Sequence, residues 1–312
     1  MNTIKRYILT IIVLLFTQTI FAYDFYAVNN GDTIYYNITS NTDPYTVEVA
    51  QSAYYSGDIS LPSTVTYNSI IYSVTAIGNS AFYNCFDLTF VNITNSIISI
   101  GQGAFFNCGL SVIYIPSTVI HIGDFVFLGC DSLQSITVDT NNMHYKSLDG
   151  VLYNYEMDTL IECGGGKTGT ITIYNAVKVI KKSAFWGCGE LNGNLIIPEG
   201  VLTIGDAAFC HCIGLTSVTI GNSTTFIGND AFAYCLGLNS VFIGNSVTYI
   251  GTHAFLYDTN LYTLYFHSIN CLSVGSVYAP AFENCNKLTN INFGDSVKTI
   301  PDYIFYNVYS LT

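Results

Sequence analysis

Ile227-Gly228-Asn229-Asp230-Ala231-Phe232-Ala233-Tyr234-Cys235 is one copy of a phrase, Ile-Gly-x-x-Ala-Phe-x-x-Cys-x-x-Leu, that recurs nine times from Ile77 onward. Other clean copies are Ile77-Gly78-Asn79-Ser80-Ala81-Phe82-Tyr83-Asn84-Cys85 and Ile100-Gly101 leading to Ala104-Phe105 and Cys108. The alanine position, or its variant, falls at 81, 104, 126, 184, 208, 231, 254, 281 and 304, so successive steps are 23, 22, 58, 24, 23, 23, 27 and 23 residues. A period of this length belongs to small units that bury their apolar faces only by stacking, and it predicts a solenoid rather than a globular enzyme.

Between copies of the phrase the pattern is Leu-x-x-apolar-x-apolar, as in Leu133-Gln134-Ser135-Ile136-Thr137-Val138, Leu215-Thr216-Ser217-Val218-Thr219-Ile220 and Leu238-Asn239-Ser240-Val241-Phe242-Ile243. Its last three positions alternate with period two, the mark of a strand with one face toward a core. Gly-Asn-Ser or Pro-Ser-Thr then supplies a turn, and Val-x-x-Ile-Gly makes a second short apolar segment. At the Ala-Phe corner, alanine permits close approach and phenylalanine fills the interior. Stacking coils at the ~4.8 Å strand spacing gives each strand two neighbours.

The first 22 residues are set apart from this pattern. Lys5-Arg6 precede an apolar run from Tyr7 to Phe16, followed by polar Thr17-Gln18-Thr19 and by Ala22, the layout of a secretory signal peptide cleaved after Ala22. An uncleaved signal anchor is the alternative reading of the same run. Removal of the leader takes Lys5 and Arg6, the only arginine, and leaves seven lysines against twenty-one acidic residues, moving the formal charge from -12 to -14. A chain without guanidinium groups and with a negative field excludes nucleic acid as a partner. No transmembrane domain is expected in the mature chain.

The repeated phrase resembles the leucine-rich repeats of the BspA-like group, over Ile77 to Thr312. Upstream, Tyr23-Asp24-Phe25, Ile34-Tyr35-Tyr36-Asn37-Ile38 and Gly57-Asp58-Ile59-Ser60-Leu61-Pro62 resemble the β-rich lead-in of secreted Bacteroidetes members. The resemblance implies a leucine-rich repeat solenoid, of the α/β class but β-dominated: a right-handed superhelix of ~23-residue coils with short or 3-10 helical turns. The expected divisions are a signal peptide at 1–22, an N-terminal β cap at 23–74 and the repeat array at 75–312, with a β-hairpin inserted near 139–175. Where leucine-rich repeats carry Asn or Cys after the strand, these coils carry Ser96, Ser223, Ser246 and Ser296, which argues against an asparagine ladder there.

The 58-residue step from Val126 to Ala184 is two coils plus about a dozen residues. An Asp149-Gly150 turn between apolar stretches, followed by Thr159-Leu160-Ile161-Glu162-Cys163, reads as a protruding β-hairpin. The 27-residue step, with extra residues between Asn270 and Pro280, reads as a smaller loop. Structural variation is favoured over a binding role for both. Seven of the ten cysteines, Cys85, Cys108, Cys130, Cys188, Cys212, Cys235 and Cys285, share one repeat position, which Asp258 and Val308 interrupt. A ladder pairs no cysteine preferentially, so reduced, buried thiols are favoured over disulfides. Cys163, Cys210 and Cys271 are left unassigned.

Apparent catalytic and metal motifs do not survive inspection. In Cys210-His211-Cys212, adjacent residues point to opposite faces and no second ligand pair follows, so no metal is expected. Gly164-Gly165-Gly166-Lys167-Thr168 lacks the first glycine of a phosphate loop, that position being Ile161. His121, His144, His253 and His267 sit in different coils with no recurring nucleophile, so no catalytic residue and no cofactor are assigned. Asp124, Asp206 and Asp230 fall in turns, where capping explains them. The sequons at Asn37, Asn92 and Asn222 matter only in a eukaryotic secretory host.

What remains is the outward face of the strands. One column reads Asn92, Tyr114, Thr137, Thr219, Phe242, Tyr265 and Asn292, and a second reads Phe90, Val112, Ser135, Ser217, Ser240, Thr263 and Asn290. Aromatics and hydroxyls without charge suit recognition, although β-propensity alone also accounts for them. Tyr114, Phe242 and Tyr265 are the expected contact residues. BspA-like proteins are linked with attachment to extracellular-matrix proteins and with bacterial coaggregation. The resemblance therefore implies a non-enzymatic, adhesin-like protein, secreted or at the cell surface, that binds an extracellular host or neighbouring-cell macromolecule, expected to be a protein. The alternative is a structural spacer or self-associating surface protein without a specific ligand. Ser310-Leu311-Thr312 stops where a strand is due, so the expectation is either a truncated gene or edge-to-edge self-association at the C-terminal coil.

Overall fold

The computed structural model describes residues 22–52 and 55–311, so the predicted leader at 1–22 lies almost wholly outside the described residues. The described residues wind into a β-solenoid of about 11 turns with ~23-residue coils, and none of them is helical. Each coil contributes to two parallel columns of strands. The longer column carries the Leu-x-x-apolar-x-apolar segments, and its most continuous stretch is the five-stranded sheet Gly193–Ile197, Leu215–Ile220, Ser240–Ile243, Thr263–Phe266 and Asn290–Phe293. Register repeats from coil to coil: Val218 opposes Val241, Val241 opposes Leu264 and Leu264 opposes Ile291. The second column stacks the short Val-x-x-Ile segments, such as Thr203–Ile204, Phe226–Ile227 and Tyr249–Ile250.

At the N-terminal end an antiparallel meander of Phe25–Asn29, Asp32–Ser40 and Thr46–Val49 runs into this second column. Thr46–Val49 pairs in parallel with Ile70–Ile77, placing Val49 opposite Ile77, and Ile77 opposes Ile100 in the first true rung. Phe25, Ile34, Tyr36, Val47 and Val49 are buried and belong to the same apolar core as the early coils.

Each residue of the phrase has a distinct physical task. The glycine after isoleucine is demanded by proximity, not by dihedral angle: a Cβ at Gly101, Gly228 or Gly251 would lie 2.6, 2.5 and 2.5 Å from the backbone nitrogen of Asn79, Asp206 and Asn229 in the preceding coil. Only a hydrogen fits there. At the corner, alternate N–H groups bond within and between coils. Ala208 N–H donates to Gly205 O (3.3 Å), while Phe209 N–H donates to Ala231 O of the next coil (2.7 Å). The residue before alanine and the residue before cysteine take positive φ, as at Ser80 and Asn84, Asp230 and Tyr234, or His253 and Tyr257. A left-handed residue at every fourth position breaks the repeated dihedrals a helix requires. The convex connection, expected to be a short helix or a turn, is therefore a run of single turns throughout.

Inside the corner the phenylalanine rings stack almost parallel. Centroids are 5.1 Å apart between Phe209 and Phe232, 5.3 Å between Phe232 and Phe255, and 4.8 Å between Phe255 and Phe282. The cysteine rung is more than a small apolar filler. Sγ of Cys108 donates to Phe82 O (2.9 Å), that of Cys130 to Phe105 O (2.9 Å) and that of Cys235 to Phe209 O (3.2 Å), so these thiols engage the phenylalanine carbonyl of the coil before, while Cys85 and Cys188 donate to Ser52 O (3.3 Å) and Gly164 O (3.4 Å). All ten cysteines are buried and unpaired, Cys163, Cys210 and Cys271 included.

The 58-residue step is a seam repaired by side chains. Tyr145–Leu148 and Val151–Asn154 form a hairpin, and Ile136 N–H donates to Gly150 O at its turn (3.0 Å). Gly164 and Gly166 then pass so close to Leu133 and Ser132 that a Cβ would meet backbone atoms at 2.1 and 2.5 Å. This coil has no Ala-Phe corner, so Phe127 N–H lacks the usual alanine carbonyl; Oε1 of Glu162 accepts it instead (3.0 Å). Cys163 N–H takes the phenylalanine's part and donates to Ala184 O (2.7 Å). Outside the corner, Asp124 is clamped by Lys182 (2.8 Å) and Lys181 (3.4 Å) across the same seam.

Burial pushes the Glu162 carboxyl up to about 8, against which the Phe127 N–H bond pulls only partway. Because the folded value is raised above the ordinary 4.5, the stability this group contributes is full below that pH and is lost as pH rises toward about 8. Glu162→Gln keeps an acceptor for Phe127 and has no proton to lose. Thermal melting is expected to fall for the wild type across this window and to fall less for the variant; parallel profiles would contradict the assignment.

An uncharged strand face as the candidate binding site

Phe242 and Tyr265 are brought together, and Tyr114 is not with them. In the five-stranded sheet Ile196, Thr219, Phe242, Tyr265 and Asn292 oppose one another in register. The rings of Phe242 and Tyr265 lie 6.4 Å apart with an angle of 35° between them, and His267 approaches Phe242 at 4.7 Å. Phe242 is half-buried under these neighbours, whereas Tyr265 is exposed. Tyr114 sits on the separate two-stranded sheet of Val112–Ile115 and Ser135–Val138, opposite Thr137. Asn92 lies on a third small sheet, with Gly57–Ser60. The single column expected from the sequence is thus three pieces, because the hairpin coil interrupts pairing after Val138 and no ladder joins Leu88–Asn92 to Val112–Ile115.

Outward positions of the five-stranded sheet carry no charge: they are Asn194 and Ile196, Ser217 and Thr219, Ser240 and Phe242, Thr263 and Tyr265, Asn290 and Asn292. Thr263 is buried and does not contribute surface as the sequence reading supposed. Its Oγ1 accepts from Asn290 Nδ2 (3.4 Å), which closes over it. Ile196, 63% exposed, is a surface residue the sequence reading missed. It lies in Leu195-Ile196-Ile197, where an unbroken apolar run hides the alternation. The extra residue in that 24-residue step was the available clue.

Tyr114 is held by a neighbour rather than free. Its hydroxyl donates to Asp139 Oδ2 at 2.6 Å, and Asn141 N–H donates to Asp139 Oδ1 at 2.8 Å. The Tyr114 hydroxyl first, and the Asn141 N–H second, hold the Asp139 carboxyl below its ordinary range.

The remaining polar motifs are structural. Cys212 joins the thiol ladder, with Sγ donating to Phe185 O (3.2 Å), while Cys210 packs in a separate outer cluster with Phe106, Leu128, Trp186 and Ala233. His211 between them stacks on Tyr234 (4.7 Å, 7°). Among the described residues no three His, Cys, Asp or Glu side chains are grouped to hold a metal ion. Asp206 is a rung rather than a cap: its Oδ1 accepts Asn229 N–H (2.7 Å), just as Asn79 Oδ1 accepts Gln102 N–H (2.8 Å). A second amide ladder runs through the Gly-Asn-Ser turns, where Asn245 N–H donates to Asn222 Oδ1 (3.2 Å) and Asn222 N–H to Glu199 Oε2 (2.7 Å). The asparagine ladder doubted at the serines is present one residue earlier. Among the described residues no helix is long and apolar enough to cross a membrane.

The BspA type leucine rich repeat region matches residues 47–160 and 178–312 in 6 copies, and the chain belongs to that family. A leucine rich cell surface protein from Faecalibacterium prausnitzii A2-165 is similar in structure, with a TM-score of 0.60 and 20% identity over 88% of this chain and 96% of its own. A leucine-rich repeat protein from Eubacterium ventriosum ATCC 27560 is similar to the same degree, at TM-score 0.60 and 22% identity over 92% of this chain and 89% of its own. Curated protein sequences give no significant match.

Removing one hydroxyl tests the Tyr114 contact without disturbing the strand. In Tyr114→Phe the Asp139 carboxyl is expected to titrate at higher pH in a carbon-detected NMR titration; an unchanged midpoint would mean the bond does not form in solution.

Proposed function

We propose that the protein is a non-enzymatic, adhesin-like interaction module, secreted or displayed at the cell surface, that engages an extracellular host or neighbouring-cell protein through its strand face. One observation carries this reading: ten outward positions on five successive strands bear no charged side chain and present the Phe242–Tyr265 pair. Interface cores are depleted of charge and enriched in aromatics, and tyrosine gives large contact area with few rotatable bonds. Membership of the BspA type family and the similarity to a bacterial protein described as a cell surface protein support the location and the class. On this reading residues 1–22 are the export signal, 23–74 the β cap and 75–312 the repeat array. Tyr114 serves the same face from its separate sheet.

The combined variant Tyr114→Ser, Phe242→Ser and Tyr265→Ser tests the assignment in pull-downs from extracellular-matrix and bacterial-surface fractions. Partners captured by the wild type are expected to be lost while the circular dichroism spectrum is retained. Undiminished capture would remove these residues from the binding face and leave a spacer role.

A further inference from the structure

The strand column is also unpaired ahead of its five-stranded stretch. Thr170-Ile171-Thr172-Ile173 occupies the strand position of the coil before Gly193–Ile197: Ile171 and Ile173 are buried, Thr170 and Thr172 exposed. The two segments are pinned at one end, where Gly169 is bridged to Leu191 and Asn192 N–H donates to Gly169 O (2.8 Å). Beyond that pin no backbone hydrogen bond joins residues 170–173 to Gly193–Ile197, whereas each later pair in the column is bonded along its length.

Two sequence features hold the gap open. Gly193, at φ 76°, sits at a register shift against Leu215–Ile220, and a bulge of this kind bends its strand. Pro198 has no N–H. At the equivalent place in later coils Gly221 N–H donates to Ile197 O (3.1 Å) and His267 N–H to Ile243 O (3.0 Å), so proline removes the bond that would close the far end. The result is a cleft of about 570 Å³, bounded at its far end where Gly200 packs on Asn175 O and within the ~300–1,000 Å³ of ordinary ligand clefts.

The cleft's chemistry is that of a missing strand. In this column the outward residue of each coil sends its N–H back toward the coil before, as Gly221 and His267 do; Asn194 and Ile196 stand at that phase, so their N–H groups face the gap. The opposite lip offers the backbone of 170–173. A second peptide backbone is the partner that matches donors and acceptors along both lips. Exposed Ile196 and half-buried Pro198 supply an apolar rim. Glu199 is the only charged side chain on the lining; its two oxygens accept from Asn222 N–H (2.7 Å) and Nδ2 (3.1 Å), which leaves its negative charge uncompensated, and in a chain of formal charge -12 that favours a strand with cationic ends.

We infer that this cleft takes up one extended, basic segment of a partner protein by strand addition between residues 170–173 and Gly193–Ile197. It is separate from the aromatic positions of the strand face, and either assignment can fail without the other.

The full chain would be probed with the capped hexapeptide Lys-Thr-Val-Thr-Val-Lys and its counterpart with Glu at both ends, read by hydrogen–deuterium exchange. The basic peptide is expected to slow exchange across 170–175 and 193–198, and to bind at least about tenfold more tightly than the acidic one at low salt. Ile196→Pro removes the N–H facing the gap and should abolish protection at unchanged melting temperature. Ile196→Lys, at an exposed site, should reverse the charge preference even if the proline variant does not fold. The Tyr114, Phe242 and Tyr265 variant should bind the peptide as the wild type does. Absence of protection at millimolar basic peptide, equal protection by both peptides, or an unchanged preference in Ile196→Lys would overturn the inference.

Discussion

Coil-to-coil approach of the backbone at the Ile-Gly position, repeated at Gly101, Gly123, Gly205, Gly228 and Gly251, is the close contact that recurs along the stack. With a hydrogen in place of a side chain, one coil's turn nests against the preceding coil's backbone nitrogen, which a methyl group would meet at 2.5 Å at Gly228 and Gly251. That proximity brings the corner N–H groups within reach of the next coil's carbonyls. It also sets the spacing at which phenylalanine rings stack near 5 Å and cysteine thiols meet the preceding phenylalanine carbonyl. The rung that departs most is Asp258, whose Oδ1 accepts Cys235 N–H (2.8 Å) and whose burial keeps its carboxyl well above the ordinary carboxylate range. Its other oxygen, Oδ2, is buried without a hydrogen-bond partner.

Because stacking claims the recurrent side chains, the proposed binding falls to the positions between them. The five-stranded sheet gives a flat, charge-free surface with one aromatic pair. The seam gives an irregular one, because the coil that contains Glu162 has lost its corner and gained a hairpin. A repeat array propagates order through nearest neighbours, so a defect must be patched locally or the two halves separate. Glu162, Asp124 and the two lysines are those patches, and the cleft beside Gly193 is the part left unpatched.

Legibility in the sequence followed periodicity. The phrase, its period, the inward strand positions and the shared cysteine position were readable because each recurs, and recurrence averages away local accident. The glycine's task was not readable, since a close approach and a left-handed turn select the same residue. Left-handed residues at Tyr234, His211 and Ala207 carry no sequence mark at all, because tertiary bonding imposes a conformation those residues do not prefer. The outward column was correct in phase and broken in space: Tyr114 pairs with Thr137, but the hairpin separates both from Phe242. Ile196 and the open cleft lay hidden in an apolar run, where alternation cannot be seen, and only the bulge at Gly193 reveals them.

Thermal unfolding of Gly228→Ala, beside Thr219→Ala as an exposed control on the strand face, tests the coil-approach constraint most directly. A methyl group against Asp206 N must push two coils apart, and overpacking of about 1–3 kcal/mol corresponds to a melting midpoint lowered by about 2–12 °C, with the control near the wild type. A Gly228→Ala protein that melts with the wild type would show that the coils do not depend on this approach.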